Sequence, residues 1–241
     1  EPSADAPGLL ARLLDGSPLD RRGRAALLQR LAVVLSASAR GAGAAAVASG
    51  QWLTDTVAEI APHLPIRDLP TLSAHHRGLV GDELAAVLID NAARATGAIG
   101  AAAGVVSSLE FAAPPLLLTS PVQVAAETVA VIAVELKLVA ELHEAYGRPA
   151  AGTPAVRMAA YLGAWTRRRA LDRVGIGGGS SSGLVSGAAG RALRRRVVRR
   201  TGENALSVLP MLTGAVASAS LNARQTKKLG EAITKDLAGT G

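Results

Sequence analysis

The sequence predicts an all-α protein, and three features of its composition support that fold class. The chain of 241 residues is rich in alanine and leucine, which favour helices, and it has few runs of alternating β-branched residues. It has only five aromatic residues, so small aliphatic side chains must fill the core and neighbouring helices must approach closely. We therefore expect one domain, residues 1–241, folded as a compact bundle of roughly seven to nine helices.

The first clear helix signal lies near the N-terminus. Ser17, Pro18 and Asp20 supply a capping hydroxyl, a proline for the first helical position and an acid for the third. The helix that they begin should extend to about Arg40.

A second long helix is predicted from Asp82 to about Ser108, with two different faces. One face is an apolar stripe that consists of Leu84, Val87, Leu88, Ala95, Ile99, Ala102, Val105, Val106 and Leu109. The nearly opposite face carries small residues, namely Ala86, Ala93, Gly97, Gly100 and Gly104. Glycine in a helix interior is about 1 kcal/mol less favourable than alanine, so several glycines on one face indicate another helix lying very close.

A third helix is predicted from Ser120 and Pro121, with Gln123 completing the cap. It should end at Tyr146, because Gly147 can adopt the left-handed conformation that terminates a helix.

Thr153 and Pro154 begin the next helix. Residues 175–190, rich in glycine and serine, are predicted to form a loop. This segment lacks the Gly-Lys-Ser/Thr ending of a nucleotide-binding P-loop, which makes a phosphate-binding role the weaker interpretation.

The helix of residues 120–146 contains an unusual acid. Its apolar stripe consists of Val122, Val129, Ile132, Leu136 and Val139, and its polar side carries Gln123, Glu127, Lys137, Glu141 and Glu144. Glu135 falls inside the apolar arc, which indicates a partly exposed or arginine-paired carboxylate. The alternative is a functional acid with a raised pKa, a candidate member of a buried polar site with Asn91 and Glu110.

Several segments spread over most of the chain form a series with a characteristic order and spacing. They are Trp52 with Leu64-Pro65-Ile66-Arg67-Asp68, Asn91-Ala92-Ala93-Arg94 before residues 97–104, residues 127–147, residues 157–165, and Leu221-Asn222-Ala223-Arg224-Gln225-Thr226 with Leu229-Gly230. The series resembles the EcsC family, bacterial proteins first noticed beside an ABC transporter operon, and residues 1–45 carry the least of it. The resemblance implies a helical, membrane-associated or transport-accessory protein, and it implies no catalytic residue.

Basic residues are concentrated in one part of the sequence. Residues 157–200 contain eleven arginines and one acid, Asp172, so their net charge of +10 exceeds the +7 of the whole chain. If the end of this segment is helical, Arg191, Arg195 and Arg199 lie on one face. We predict that the residues that bind an anionic surface are Arg167, Arg168, Arg191, Arg194, Arg195, Arg196, Arg199 and Arg200. The alternative is a solvated charge run, or arginines that pair with acids elsewhere in the protein.

The residues that most catalytic or metal centres need are missing or differently spaced. The absence of cysteine excludes disulfides, thiol nucleophiles and cysteine metal sites. Residues 179–183 match Gly-x-Ser-x-Gly, but they lie in the glycine-rich predicted loop and not at a strand-to-helix turn, so they do not indicate a serine nucleophile. His63, His75, His76 and His143 lack the spacing of metal ligands on a helix. We expect no metal, no cofactor and no enzymatic activity.

The uncharged stretches are too short or too interrupted by proline to span a membrane, which takes about 20 apolar residues. The sequence starts at Glu1 with no initiator methionine, so we expect a trimmed chain whose upstream segment is not visible, and no signal-peptide pattern remains in it. The lack of cysteine fits a reducing compartment, and we expect a cytoplasmic location, peripheral to the membrane. Together these features predict a non-catalytic protein, peripheral to the membrane, that binds anionic lipid or assists a membrane or transport complex.

Two other functions stay open. The first alternative is an adaptor or self-assembling scaffold that binds a protein partner or forms homo-oligomers through its small-residue helices. Nucleic acid ranks below lipid because aromatic residues are not interleaved with the arginines. An unrecognised enzyme ranks lower still.

Overall fold

The computed structural model describes residues 6–14, 21–43, 46, 51–111, 120–174 and 213–239. These ranges contain eight α-helices and no β-strand: α1 Ala6–Leu14, α2 Arg21–Ala42, α3 Gln51–Ile60, α4 Leu69–His75, α5 Gly81–Phe111, α6 Ser120–Ala145, α7 Pro154–Val174 and α8 Thr213–Ala238. A single 3-10 turn, Ala61–His63, follows α3. The prediction of an all-α, multi-helix bundle is confirmed.

Helix α6 is the centre of the bundle. Each of the other seven helices contacts it, and every residue from 126 to 142 is buried. A helix enclosed in this way is normally apolar all round. The sequence placed a polar side opposite the apolar stripe of α6, and the structure buries that side as well.

Helices α5 and α8 lie antiparallel and very close together. A Cβ atom added at Gly100 would lie 2.6 Å from Nδ2 of Asn222 and 3.0 Å from the carbonyl oxygen of Ser218. Gly97 faces the backbone of Ala219 in the same way, at 3.3 Å. The prediction that these glycines mark a closely packed helix is confirmed, and the partner is α8.

The ends of several helices follow the sequence signals. α6 begins at Ser120 and ends at Ala145, one residue before the predicted end. Gly147 has a φ of 65°, and the backbone N–H of Arg148 donates to the carbonyl of His143 at 2.8 Å. The cap expected from residues 17–20 lies outside the described residues, as does the loop predicted for 175–190.

Helix α2 packs one face inward and leaves the other to solvent. Leu27, Leu28, Leu31 and Leu35 are buried, and the helix contacts α1, α5 and α6. The helix extends two residues past the predicted end at Arg40. This amphipathic arrangement agrees with the periodicity of a surface helix.

Candidate functional site

Five charged side chains of the central helix are buried. They are Glu127, Glu135, Lys137, Glu141 and Glu144, and they are termed here the α6 charge row. A buried charge is strongly destabilising unless it is paired and hydrogen-bonded. The partners of this row come from α7, from α8 and from the segment of residues 64–68.

Glu135 lies near the middle of the row and is 0% exposed. Its carboxylate accepts hydrogen bonds from Nε1 of Trp165 at 2.8 Å and from the hydroxyl of Thr226 at 3.1 Å. It also forms an ion pair with the guanidinium of Arg169. Of the two interpretations from the sequence, the structure shows the arginine-paired carboxylate, and the pairing joins α6 to α7 and α8.

Glu127 is held from α8, two turns before Glu135. Its carboxylate accepts hydrogen bonds from the hydroxyl of Ser218 at 3.2 Å and from Nδ2 of Asn222 at 3.0 Å. The same amide nitrogen donates to the carbonyl of Thr96 on α5 at 3.4 Å. Asn222 therefore ties three helices together at the place where Gly100 lets α5 and α8 approach.

Lys137 and Glu141 form an ion pair one turn apart on α6. Nζ of Lys137 donates to the carbonyl of Pro65 at 2.6 Å, and Glu141 accepts from the backbone N–H of Arg67 at 3.3 Å. Burial lowers the pKa of Lys137, and the charge of Glu141 opposes that shift. This pair fastens the segment between α3 and α4 onto the central helix.

Glu144 ends the row and pairs with Arg157 of α7. The neighbouring hydroxyl of Tyr161 accepts a hydrogen bond from the backbone N–H of Ala150 at 3.0 Å, and its ring packs against His143 with the two ring centres 5.1 Å apart. A hydrogen bond to Tyr161 and the charge of Glu144 raise the pKa of the Arg157 guanidinium. These contacts fix the turn between α6 and α7.

Tyr146 closes the same end of the bundle against α5. Its hydroxyl donates a hydrogen bond to the carboxylate of Asp82 in the first turn of α5. Burial, and then the hydrogen bond and charge of Asp82, raise the pKa of Tyr146 to about 12. The neutral form of the phenol is therefore the one that the folded protein favours.

The structure does not bring the three predicted members of the buried polar site together. Asn91 is exposed on α5, and its side-chain oxygen accepts from Arg94 one turn later at 2.8 Å. The placement of Asn91 in a buried site was therefore wrong, because it lies on the solvent side of the helix. The side chain of Glu110 lies outside the described part of the structure.

The residues of α8 that hold Glu127 and Glu135 were not predicted as site residues from the sequence. Ser218, Asn222 and Thr226 follow one another at intervals of four, so they lie on one face of α8 and point toward α6. That spacing of short polar side chains inside a small-residue helix is a signal in the sequence. The sequence does not reveal which acids they meet.

The predicted anionic-surface arginines divide into two groups. Arg168 forms an ion pair with Asp236 and donates to the carbonyl of Ala232 at 3.2 Å, so it is bound to α8. For this residue the structure shows the alternative interpretation, an arginine paired with an acid elsewhere in the protein, and its binding to an anionic surface stays a prediction. Arg167 is exposed on α7, and the six arginines between 191 and 200 lie outside the described residues.

The histidines make local contacts. Nδ1 of His63, His75 and His143 each donates to the carbonyl oxygen four residues earlier, at 3.2, 2.7 and 2.7 Å. Within the described ranges no three residues of the metal-binding types come together as a possible ion site. An apolar crevice of about 10 Å³, the space of about one water molecule, lies between α3 and α6, lined by side chains such as Val57, Ile60 and Ile132. Pockets for drug-sized ligands begin at about 300 Å³, so this crevice is too small for one.

No family model, curated protein or solved structure matches this chain. Among the helices that the structure describes, none is both long enough and apolar enough to pass through a bilayer. Membership of the EcsC family is a prediction that rests on the sequence resemblance alone.

Proposed function

We propose that this protein is a non-catalytic, peripheral membrane protein that binds anionic lipid headgroups through its arginine-rich segment, at the cytoplasmic face of a membrane or of a transport complex. The observation that carries the proposal is the local excess of arginine in residues 157–200, where eleven arginines and one acid give a net charge of +10 in the sequence. Such a role agrees with the EcsC resemblance.

The balance of charge supports a ligand from outside the chain. Arg157, Arg168 and Arg169 are offset by Glu144, Asp236 and Glu135 respectively. The remaining arginines of the segment share one acid of their own, Asp172. Acidic headgroups match this surplus, and arginine presents planar donors that suit phosphate and carboxylate oxygens.

The expected strength is that of reversible docking. Each basic residue at an anionic bilayer contributes about 1 kcal/mol, and the contribution falls as salt rises. Replacement of four arginines of the segment should therefore weaken the partitioning of the protein onto anionic vesicles by roughly a hundredfold or more at low salt.

Vesicle co-sedimentation tests the proposal with a matched pair of variants. R191Q/R194Q/R195Q/R199Q removes four charges from the proposed surface. R224Q/K227Q/K228Q/K235Q removes the same charge from exposed positions of α8. We expect wild type to prefer phosphatidylserine-containing vesicles over neutral ones, and the first variant to lose far more of that binding than the second.

Two results would overturn the proposal. One is equal binding of the wild type to anionic and neutral vesicles. The other is equal loss of binding in both variants, because net charge rather than the arginine segment would then account for the effect.

A scaffold or adaptor role is the competing function, and it needs a contiguous apolar surface. The large exposed hydrophobic residues of the described ranges are Val33, Val80 and Val156, which lie on separate elements. That scatter favours the lipid proposal. Solution mass measurement at rising protein concentration distinguishes the two, since a scaffold forms concentration-dependent oligomers without lipid.

A further inference from the structure

The solvent-facing side of α2 is a basic surface in a different part of the chain from the arginine-rich segment. It consists of Arg22, Gln29, Arg30, Val33 and Arg40, all exposed, and is termed here the outer face of α2. At 100° per residue these five positions fall within one arc of about 100°, and they extend about 27 Å along the helix.

The charge on this face has a single sign. Neither α1 nor α2 contains an acidic residue, whereas α2 alone contains five arginines. Arg157 and Arg169 of α7, in contrast, each have a carboxylate partner on α6. A helix face with only positive charge attracts an anionic partner.

An aliphatic side chain lies within the basic face. Val33 is 64% exposed, more than either of the other two large exposed hydrophobics. It follows Arg30 by one turn and precedes Arg40 by two. Basic residues on an exposed helix face attract anionic lipid headgroups, and an exposed aliphatic side chain among them adds apolar area that can enter the headgroup layer.

We infer that the outer face of α2 is a second docking surface for an anionic bilayer, with Val33 entering the headgroup layer and Arg22, Arg30 and Arg40 binding lipid phosphates. The inference rests on the proposed function, and it names a surface that the arginine-rich segment does not include. Duplex nucleic acid is the weaker partner, because Val33 gains nothing beside a sugar-phosphate backbone, whereas it can enter the headgroup layer of a bilayer.

The absence of cysteine makes a direct test simple. Val33→Cys and, as matched control, Val80→Cys each place one thiol at an exposed valine, the first on α2 and the second just before α5. Each thiol is labelled with an environment-sensitive fluorophore and titrated with phosphatidylserine vesicles. We expect a blue shift for the label at position 33. An unchanged spectrum at 33, while the protein co-sediments with the vesicles, overturns the inference.

A charge variant gives a second readout. R22Q/R30Q/R40Q should weaken binding to phosphatidylserine vesicles by roughly tenfold or more at low salt, and the loss should add to that of R191Q/R194Q/R195Q/R199Q. The control variant is R224Q/K227Q/K235Q, which removes the same number of positive charges from exposed positions of α8.

The outcomes separate the two claims. If wild type ignores anionic vesicles, the proposed function and this inference both fail. If wild type binds and R22Q/R30Q/R40Q binds as well as the α8 control, only the inference fails. It also fails if the α2 substitutions reduce binding to duplex DNA and leave vesicle binding unchanged.

Discussion

Helices α6 and α2 both carry several charged residues, yet the two helices use them in opposite ways. The charges of α6 are buried and meet partners from α7, α8 and residues 64–68. The arginines at positions 22, 30 and 40 of α2 point to solvent on a helix without any acid. Charge in this bundle therefore has two roles, because the charges of α6 fix how helices pack and those of α2 are exposed to solvent. Substitutions should separate the two.

The largest effect is expected at Glu135. Glu135→Leu leaves Arg169 and the indole of Trp165 buried without their acceptor, which should lower the free energy of unfolding by about 3–5 kcal/mol. The same substitution at exposed Glu59 should change it by less than about 0.5 kcal/mol. Urea unfolding followed by circular dichroism measures both. Similar losses in the two variants would remove the distinction between interior and surface charge.

The close contact that supports the row is tested at Gly100. Gly100→Ala places a methyl group against Asn222 and Ser218 and should cost about 1–3 kcal/mol of stability. Gly163→Ala is the control, because the nearest atom outside the local backbone is Nη1 of Arg167 at an ordinary 3.5 Å. That variant should be neutral or up to about 1 kcal/mol more stable, as alanine favours helix. Thermal unfolding shows whether each variant is less or more stable than wild type. A change in the same direction in both variants would contradict the described packing.

A smaller effect is expected from the pH dependence of Tyr146. Its pKa rises from 10.0 to about 12 on folding, so the folded state keeps the proton that the unfolded state loses. The stability from this group is therefore complete below pH 10 and is lost as the pH rises from 10 to 12. Between about pH 9 and about pH 11.5, wild type should lose roughly 1 kcal/mol more than Tyr146→Phe, after allowance for solvent screening at this half-buried site. If the free energy of unfolding fell equally with pH in the two proteins, this prediction would be contradicted.

The smallest effect on stability is expected on α2. R22Q/R30Q/R40Q should change the free energy of unfolding by less than about 0.5 kcal/mol, because these side chains are exposed. Urea unfolding measures this change in the free energy of unfolding. A large loss of stability would place these arginines with α6 as packing residues and would weaken the contrast between the two helices.

The sequence predicted local features of the fold well. The cap signals at Ser120 and Gly147 predicted both ends of α6, the C-terminal end to within one residue. The glycines of α5 correctly indicated a helix packed against them. These features depend on short-range rules for caps and side-chain size, which a single segment contains in full.

The candidate site was predicted only in part. Glu135 was recognised because it interrupts an apolar arc, but its partner Thr226 lies 91 positions away and no periodicity links them. Asn91 and Asn222 have the same side chain, so residue type alone does not distinguish them. The packing of α8 buries Asn222, whereas Asn91 is exposed. Periodicity shows which residues share a face, whereas burial of a polar face depends on which helices cover it.

The late position of α8 in the chain has a consequence for how the protein is made. During translation, α6 leaves the ribosome well before residues 218–226 have been synthesised. Until then Glu127 lacks the hydroxyl and amide donors of Ser218 and Asn222, and Glu135 lacks that of Thr226. The central helix can therefore reach its final environment only after α8 has been synthesised, and until then its buried acids are available for non-native contacts.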